Sequence, residues 1–383
     1  MKTCFNYLSL GIVVVSLVTC NTKKKETVES PTTEISTPIK IELLVGTYTD
    51  QTSKGIYKLH FNPADGSLSK AQLIAETVSP SYLTISKNKE YVYATNETKD
   101  GGVSSFKWNA ERTKLNLVSS LSSEGAHPCY TELSEDESIF AIANYSSGNF
   151  AVYKTAAAGK IQEIPQTRQH AGSSIVIPNQ ETPKAHCIKF SKDNTLLYVA
   201  DLGIDEIVMY PVDANGTLGD KQLALKMDAG DGPRHFIYHP TKNIVFMVNE
   251  LSSSVTAAAI NATTGVFEKI DKQSTLPDGF NERNACADIH ITKNGKFLYA
   301  SNRGHNSIAV FSVAENGTLK RLETTHVEGD WPRSFALSPD EKFLLVANKN
   351  TDNITVFSIN QETGLLTFTG NEATVSRPVR LSF

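Results

Sequence analysis

From Ile41 onward, short apolar runs rich in β-branched and aromatic residues alternate with turns of Gly, Asn, Asp and Pro, and a helical period is almost absent. One phrase returns six times. A strand closes on Ser, Thr or His, a turn follows, and an apolar strand then ends in Asn or Asp. The closing pairs are Ser86 and Asn96, Ser134 and Asn144, Ser191 and Asp201, His239 and Asn249, Thr292 and Asn302, and Ser338 and Asn348, each ten positions apart. A third strand comes next, as at 307–311 and 353–357. A polar turn with Gly and a fourth strand complete the unit.

Four antiparallel strands per unit at a period near 50 predict an all-β chain folded as a β-propeller. The 343 residues after position 40 divide by seven into 49 per blade. Six complete inner hairpins are visible, so the seventh blade must be split. Its outer strands are expected at 43–47 and 55–59, and its innermost strand at 377–383. Pairing the two ends of the ring in one sheet removes the open edges that would otherwise invite aggregation.

Composition narrows the function. A formal charge of −4 and the lack of any basic-aromatic patch give no reason to expect a nucleic-acid partner. Residues 1–20 read as a leader: Lys2 supplies the positive start, and 8–18 is an apolar run of signal-peptide length. The run ends in Leu17-Val18-Thr19-Cys20, which resembles a bacterial lipobox, with Thr19 in place of the usual Gly, Ala or Ser. Lipidation at Cys20 and anchoring to the cell envelope are the expectation, with no other membrane association. Residues 21–40 read as a flexible polar tether and 41–383 as the propeller. Besides Cys4 and Cys20 there are Cys129, Cys187 and Cys286, an odd set without CxxC spacing, which argues for buried thiols rather than a disulfide framework or a metal site.

Two positions per blade should ring one mouth of the channel, because an inner strand starts where its neighbour ends. At the start of the inner strands lie Ser81, Cys129, His186, Arg234, Ala287 and Arg333. One residue after each Asn or Asp lie Glu97, Tyr145, Leu202, Glu250, Arg303 and Lys349. The Asn/Asp positions barely vary and read as structural. These slots vary sharply, as expected of a repeated frame bearing one asymmetric site. Arginines supply permanently charged donors for a carboxylate, a phosphate or a developing oxyanion. A Glu beside a His gives two titratable groups for proton transfer. His186, Arg234, Glu250 and Arg303 are the candidate catalytic set. His127, Tyr145, His235, His290, Arg333 and Lys349 are candidate substrate contacts. No nucleophile elbow, P-loop, dinucleotide loop or HExxH motif is present, so no cofactor and no metal are expected.

At these residues the chain resembles the seven-bladed propeller lactonase family, which includes bacterial 6-phosphogluconolactonase and fungal carboxy-muconate cyclase. The matching phrases are Val45-Gly46-Thr47-Tyr48-Thr49, His127-Pro128-Cys129, Ala185-His186, Asp201-Leu202-Gly203-Ile204-Asp205, Gly232-Pro233-Arg234-His235-Phe236, Asn249-Glu250-Leu251, Ser301-Asn302-Arg303-Gly304-His305 and Trp331-Pro332-Arg333. The resemblance implies a His-Arg-Glu-Arg set, which falls on His186, Arg234, Glu250 and Arg303. It also implies hydrolysis of a sugar lactone, with 6-phosphogluconolactone the substrate of the best-known branch. A monomer acting on a small lactone is the expectation. Export pulls against a phosphorylated substrate. Two other readings remain at this stage: a non-catalytic, envelope-anchored propeller that binds a carbohydrate acid or a protein, and a muconate-type lactonising enzyme.

Overall fold

The computed structural model describes residues 11–17 and 40–383. The predicted leader and tether, with Cys20, otherwise lie outside the described residues. Residues 11–17 carry no regular secondary structure. Residues 40–383 form one compact unit.

This unit is a seven-bladed β-propeller. Blade 1 runs outward through Leu83–Ile85, Tyr91–Asn96, Gly102–Trp108 and Leu115–Ser122. Blade 3 uses Ala185–Phe190, Leu196–Asp201, Glu206–Pro211 and Gln222–Lys226. Blade 4 uses Pro233–Tyr238, Ile244–Asn249, Ser254–Ile260 and Phe267–Ser274. Blade 5 uses Ala285–Ile291, Phe297–Arg303, Ser307–Val313 and Leu319–His326. Blade 6 uses Pro332–Leu337, Phe343–Asn348, Asn353–Ile359 and Leu366–Thr374. Blade 7 is the split one: Pro378–Ser382 is innermost and pairs with Ile41–Thr47, followed by Gly55–Phe61 and Gln72–Glu76.

Blade 2 departs from the regular plan. Pro128–Leu133, Ile139–Asn144 and Asn149–Ala156 are regular, but two short pieces, Lys160–Ile161 and Gln166–Gln169, share the outer edge. Pro165 lies between them. Proline has no N–H for the ladder, so an outer strand breaks there at little cost.

The core lies between the blades, where second and third strands present faces such as Phe140, Ile142, Phe246, Val248, Leu345 and Val356. Several of the Asn positions staple blade to blade, whereas Asn249 donates within its own blade to Ser254 and Thr256. Asn96 donates to the carbonyl of Val78 (2.7 Å), Asn144 to that of Ser123 (2.8 Å) and Asn302 to that of Thr275 (3.1 Å). Each of those carbonyls follows the outermost strand of the preceding blade. Asp201 instead accepts from the backbone N–H of Lys184 (2.6 Å) and faces buried His170 at 2.6 Å.

One irregularity recurs at the start of the inner strand. In blades 2, 3, 4, 6 and 7 the pairing skips one residue: Cys129, His186, Arg234, Arg333 and Val379, respectively. In blade 5 the skip falls over Ala287 and Asp288. These are β-bulges, which re-aim a side chain without ending the strand. The six inner slots read from the sequence include five of these bulge residues, all but Ser81.

Candidate functional site

In five blades a turn with left-handed backbone precedes the inner strand, and in four of them that turn leads into a bulge. Ser79, His127, Gly232, Trp331 and Arg377 all have φ between 40° and 65°. The carbonyl of that residue accepts the N–H of the slot following the Asn/Asp position, as Gly232 does from Glu250 (2.8 Å) and Trp331 from Lys349 (3.1 Å). The backbone thus presents the bulge residue and the slot residue side by side in blades 2, 4, 6 and 7. At Gly232 a Cβ would come within 2.6 Å of the Leu251 side chain, so glycine suits both the φ and the space.

At the centre of this mouth Glu250 is held by two arginines. Its Oε2 lies 2.9 Å from Arg234 Nε and 2.7 Å from Arg303. Arg303 also donates to the carbonyls of Ala285 (3.1 Å) and Cys286 (2.8 Å). Arg234 is 1% exposed, and burial, then the neighbouring Arg303 and Arg333, lowers its pKa to about 10. It remains a cation at neutral pH. For Glu250, burial favours the neutral acid, but Arg303 and Arg234 outweigh it and hold the carboxyl below its ordinary range. Glu250 is therefore an ionised carboxylate.

His186 completes this cluster from blade 3. Its ring lies 5.5 Å from Tyr145 and 5.1 Å from His235, and its buried Nδ1 has no partner among the described residues. Burial and then Arg234, with His235, Arg333 and Arg303 adding, keep its pKa well below the usual imidazole value, so the ring is neutral. The phenol of Tyr145 is pushed up, first by burial and then by Glu250. His127, also with an unpartnered Nδ1, stands on the left-handed turn of blade 2.

Arg333 forms the opposite side of the mouth. It pairs with Glu97 at 3.2 Å, and its guanidinium lies 5.3 Å from the ring centre of Tyr48, whose hydroxyl donates to Glu97 at 2.9 Å. Trp331 links the two halves. Arg303 lies 5.5 Å from its ring centre and Lys349 5.6 Å. Lys349 has no ion-pair partner within 4 Å among the described residues. Burial and then Arg377 and Arg333 lower its pKa.

Two predicted contacts are placed elsewhere. His290 lines a cavity at the far end of the channel, with Ser338, Ser382 and Phe383, because four residues of extended strand separate it from the start of blade 5. His235 sits beneath Arg234, buried against Tyr130 and bonded to Asp288, and does not face the mouth. The bulge explains this: it turns Arg234 and His235, which a regular strand would send to opposite faces, toward each other. The three cysteines are buried and free, and burial pushes the thiols of Cys187 and Cys286 up to about 12.

Tyr48, Trp331 and Asp288 carried no role in the sequence reading. Tyr48 had a legible signal. Thr47 pairs with Pro378 as Asn249 pairs with Pro233, so Thr47 is the seventh Asn/Asp position and Tyr48 the seventh slot. The split of blade 7 across the two ends of the chain hid that equivalence.

Comparison with known proteins places this geometry among relatives. The family model described as "Lactonase, 7-bladed beta-propeller" matches residues 42–383. A Bacillus subtilis protein named 6-phosphogluconolactonase is 33% identical over 341 residues, covering 88% of this chain and 97% of that one. A Formosa agariphila protein of the same name is 35% identical over 338 residues, covering 85% and 94%. Among solved structures, the Pseudomonas aeruginosa periplasmic gluconolactonase is 31% identical, with a TM-score of 0.84 and coverage of 89% and 98%. A putative 6-phosphogluconolactonase from Bacteroides fragilis is 32% identical, with a TM-score of 0.82 and coverage of 92% and 99%.

Proposed function

The chain belongs to the seven-bladed β-propeller lactonase family and is a lactonase that hydrolyses a sugar lactone; from that premise we propose that water is added to the lactone carbonyl at the Arg234–Glu250–Arg303 mouth, without a metal. The observation that carries this reading is the shared carboxylate oxygen. Both closest guanidinium approaches end on Oε2 of Glu250, which leaves Oε1 the less committed oxygen. An ionised carboxylate fixed in this way can take a proton from water without moving.

The steps balance with one shuttled proton. Water oxygen bonds to the lactone carbonyl carbon as its proton passes to Glu250. The carbonyl oxygen becomes an oxyanion beside Arg234 and Arg303, whose fixed charges stabilise it. The bond from carbon to ring oxygen then breaks, and the ring oxygen takes the proton back from Glu250. Neutral His186, with Tyr145, orients the lactone by hydrogen bonds. Arg333, committed to Glu97 and Tyr48, shapes the wall and adds positive field.

Two features bear on the substrate class, a rim cation and an export signal. Lys349 is a rim charge with no acid partner within 4 Å among the described residues, so it would meet an anionic substituent where a substrate carries one. The export signal read at 1–20 and the similarity to a periplasmic gluconolactonase favour an unphosphorylated aldonolactone. The test follows acid release from gluconolactone and from its 6-phosphate, corrected for spontaneous opening. Lys349→Ala should raise KM for the phosphorylated lactone about tenfold, the scale of one charge-assisted hydrogen bond, and leave the unphosphorylated one nearly unchanged. Equal effects on both would remove Lys349 from recognition. No turnover of either lactone by the unmodified chain would overturn the substrate class.

The envelope location is part of the same proposal. Metabolic labelling with a radioactive fatty acid should mark the full-length chain, and Cys20→Ala should abolish the label and shift the protein to a soluble fraction. Unchanged labelling of that variant would rule out Cys20 as the lipidated residue.

A further inference from the structure

We infer that the far end of the central channel is a second binding site, separate from the mouth, which takes a small organic monocarboxylate with a flat apolar body on Arg380. The inference does not rest on the chemistry proposed for the mouth. Its residues lie on the parts of the inner strands that run away from it.

Side chains that face the channel come in layers. Alternate residues of a strand point the same way, so each inner strand sends one residue inward just after its slot and another two residues further on. The first of these layers holds Tyr82, Tyr130, His235, Asp288, Ser334 and Arg380. It closes the channel. The void it shares with Arg234 and Arg333 measures about 10 Å³, room for about one water. The second layer includes Thr84, Glu132, Lys189, His290, Ala336 and Ser382. Beneath the closed layer it opens into a cavity of about 460 Å³, lined from the inner strands of six of the seven blades. That is the size of a small-molecule site.

Arg380 reaches from the closed layer into this cavity. Its guanidinium carbon lies 4.0 Å from the ring centre of Tyr82. Its buried Nε has no hydrogen-bond partner, and it forms no ion pair among the described residues. The acids around it are committed elsewhere. Asp288 accepts the N–H groups of Ile289 (3.1 Å) and Phe335 (3.3 Å) and faces His235 at 2.9 Å. Glu132 pairs with Lys189 at 3.3 Å, and Glu341 accepts the N–H of Lys293 at 2.8 Å. Lys189, Lys293 and Arg380 thus face two carboxylates in the lining, which leaves one positive charge to be met. Ser382 Oγ and His290 Nε2 are also buried without a hydrogen bond, the latter 3.4 Å from Asp288.

The ligand chemistry follows from these groups. Buried donors are ordinarily paired, and the fork of a guanidinium matches the two oxygens of a carboxylate. Ser382 and His290 are further donors in the same cavity. The remaining wall selects the body. Ile85, Ile291, Leu337 and Phe383 are apolar, and the ring centres of Tyr82 and Tyr130 lie 4.1 Å apart beside Arg380. A flat ring suits these surfaces, whereas a polyol would set unpaired hydroxyls against them.

Calorimetric titration of the full-length chain with benzoate is the test. Benzoate should bind with a Kd of about 1 mM or tighter, and gluconate at about tenfold excess should not displace it. Arg380→Met keeps the apolar stem and removes the charge. With an unchanged melting temperature it should weaken benzoate about tenfold or more, and leave kcat and KM for the lactone within about twofold. A crystal structure with 4-bromobenzoate locates the site without relying on any variant. The anomalous bromine peak should lie in the far cavity, with the carboxylate on Arg380. No binding of benzoate, displacement by gluconate, full affinity in folded Arg380→Met, or a bromine peak absent from the far cavity would each overturn the inference. Lactone turnover by the unmodified chain is read separately, so failure of the mouth chemistry would leave this result standing.

Discussion

Glu250→Ala and Arg234→Ala should each lower lactone turnover at least about a hundredfold, equivalent to roughly 2.7 kcal/mol of transition-state stabilisation. The effect is large because each change damages the other's partner. Without Glu250, the guanidinium groups of Arg234 and Arg303 lose the carboxylate they share and repel one another. Without Arg234, a buried carboxylate keeps one of its two cations. Removing one member of a buried pair also costs roughly 3–5 kcal/mol of stability, so melting temperatures must accompany the rates. Glu250→Gln is the control of choice, because the amide keeps the volume and an oxygen for the arginines but cannot take a proton. Initial rates on gluconolactone at neutral pH are the measurement. Near-normal rates in folded Glu250→Gln would remove Glu250 as the proton acceptor, and near-normal rates in Arg234→Ala would remove the oxyanion role.

Deleting residues 378–383 should prevent the propeller from folding at all. The deletion removes buried Val379 and Leu381, each contributing roughly 1.5–3 kcal/mol by burial. It also strips the ladder from Ile41–Thr47 and exposes Leu43 and Val45, which are fully buried in the closed ring. Those losses together are comparable with the roughly 5–15 kcal/mol that holds a whole domain folded. Circular dichroism and thermal melting of the truncated chain are the test. A cooperative transition within a few degrees of the full-length protein would show that the terminal strand is dispensable.

The ring and its closure were legible because each blade repeats the same ten-residue spacing, and a repeat multiplies a weak local signal. Arg234, Glu250 and Arg303 could be found for the same reason: they break the regularity at positions where regularity is the default. What failed was local. His290 lies two residues beyond Asp288, and the rise of about 3.3 Å per residue along the strand carries it down the channel, away from the mouth. His235 looked like a mouth residue because it adjoins Arg234. Only the bulge, which depends on pairing with Asn249 and Val248, turns it beneath the arginine. The split outer edge of blade 2 is hidden by the repeat, because Pro165 breaks the ladder only in that one blade.

The repeated bulge has a consequence for how such a ring changes over time. At each of these points one residue is excused from the ladder, so its identity is free of the demands of register and sheet pairing. Cys129 and Val379 now occupy two of those exempt points with side chains of no evident chemistry. A new acid, base or cation there would be delivered to the central shaft by backbone that already exists. The scaffold therefore works as a socket board, in which recognition can be rewired one plug at a time while the circuit beneath stays intact.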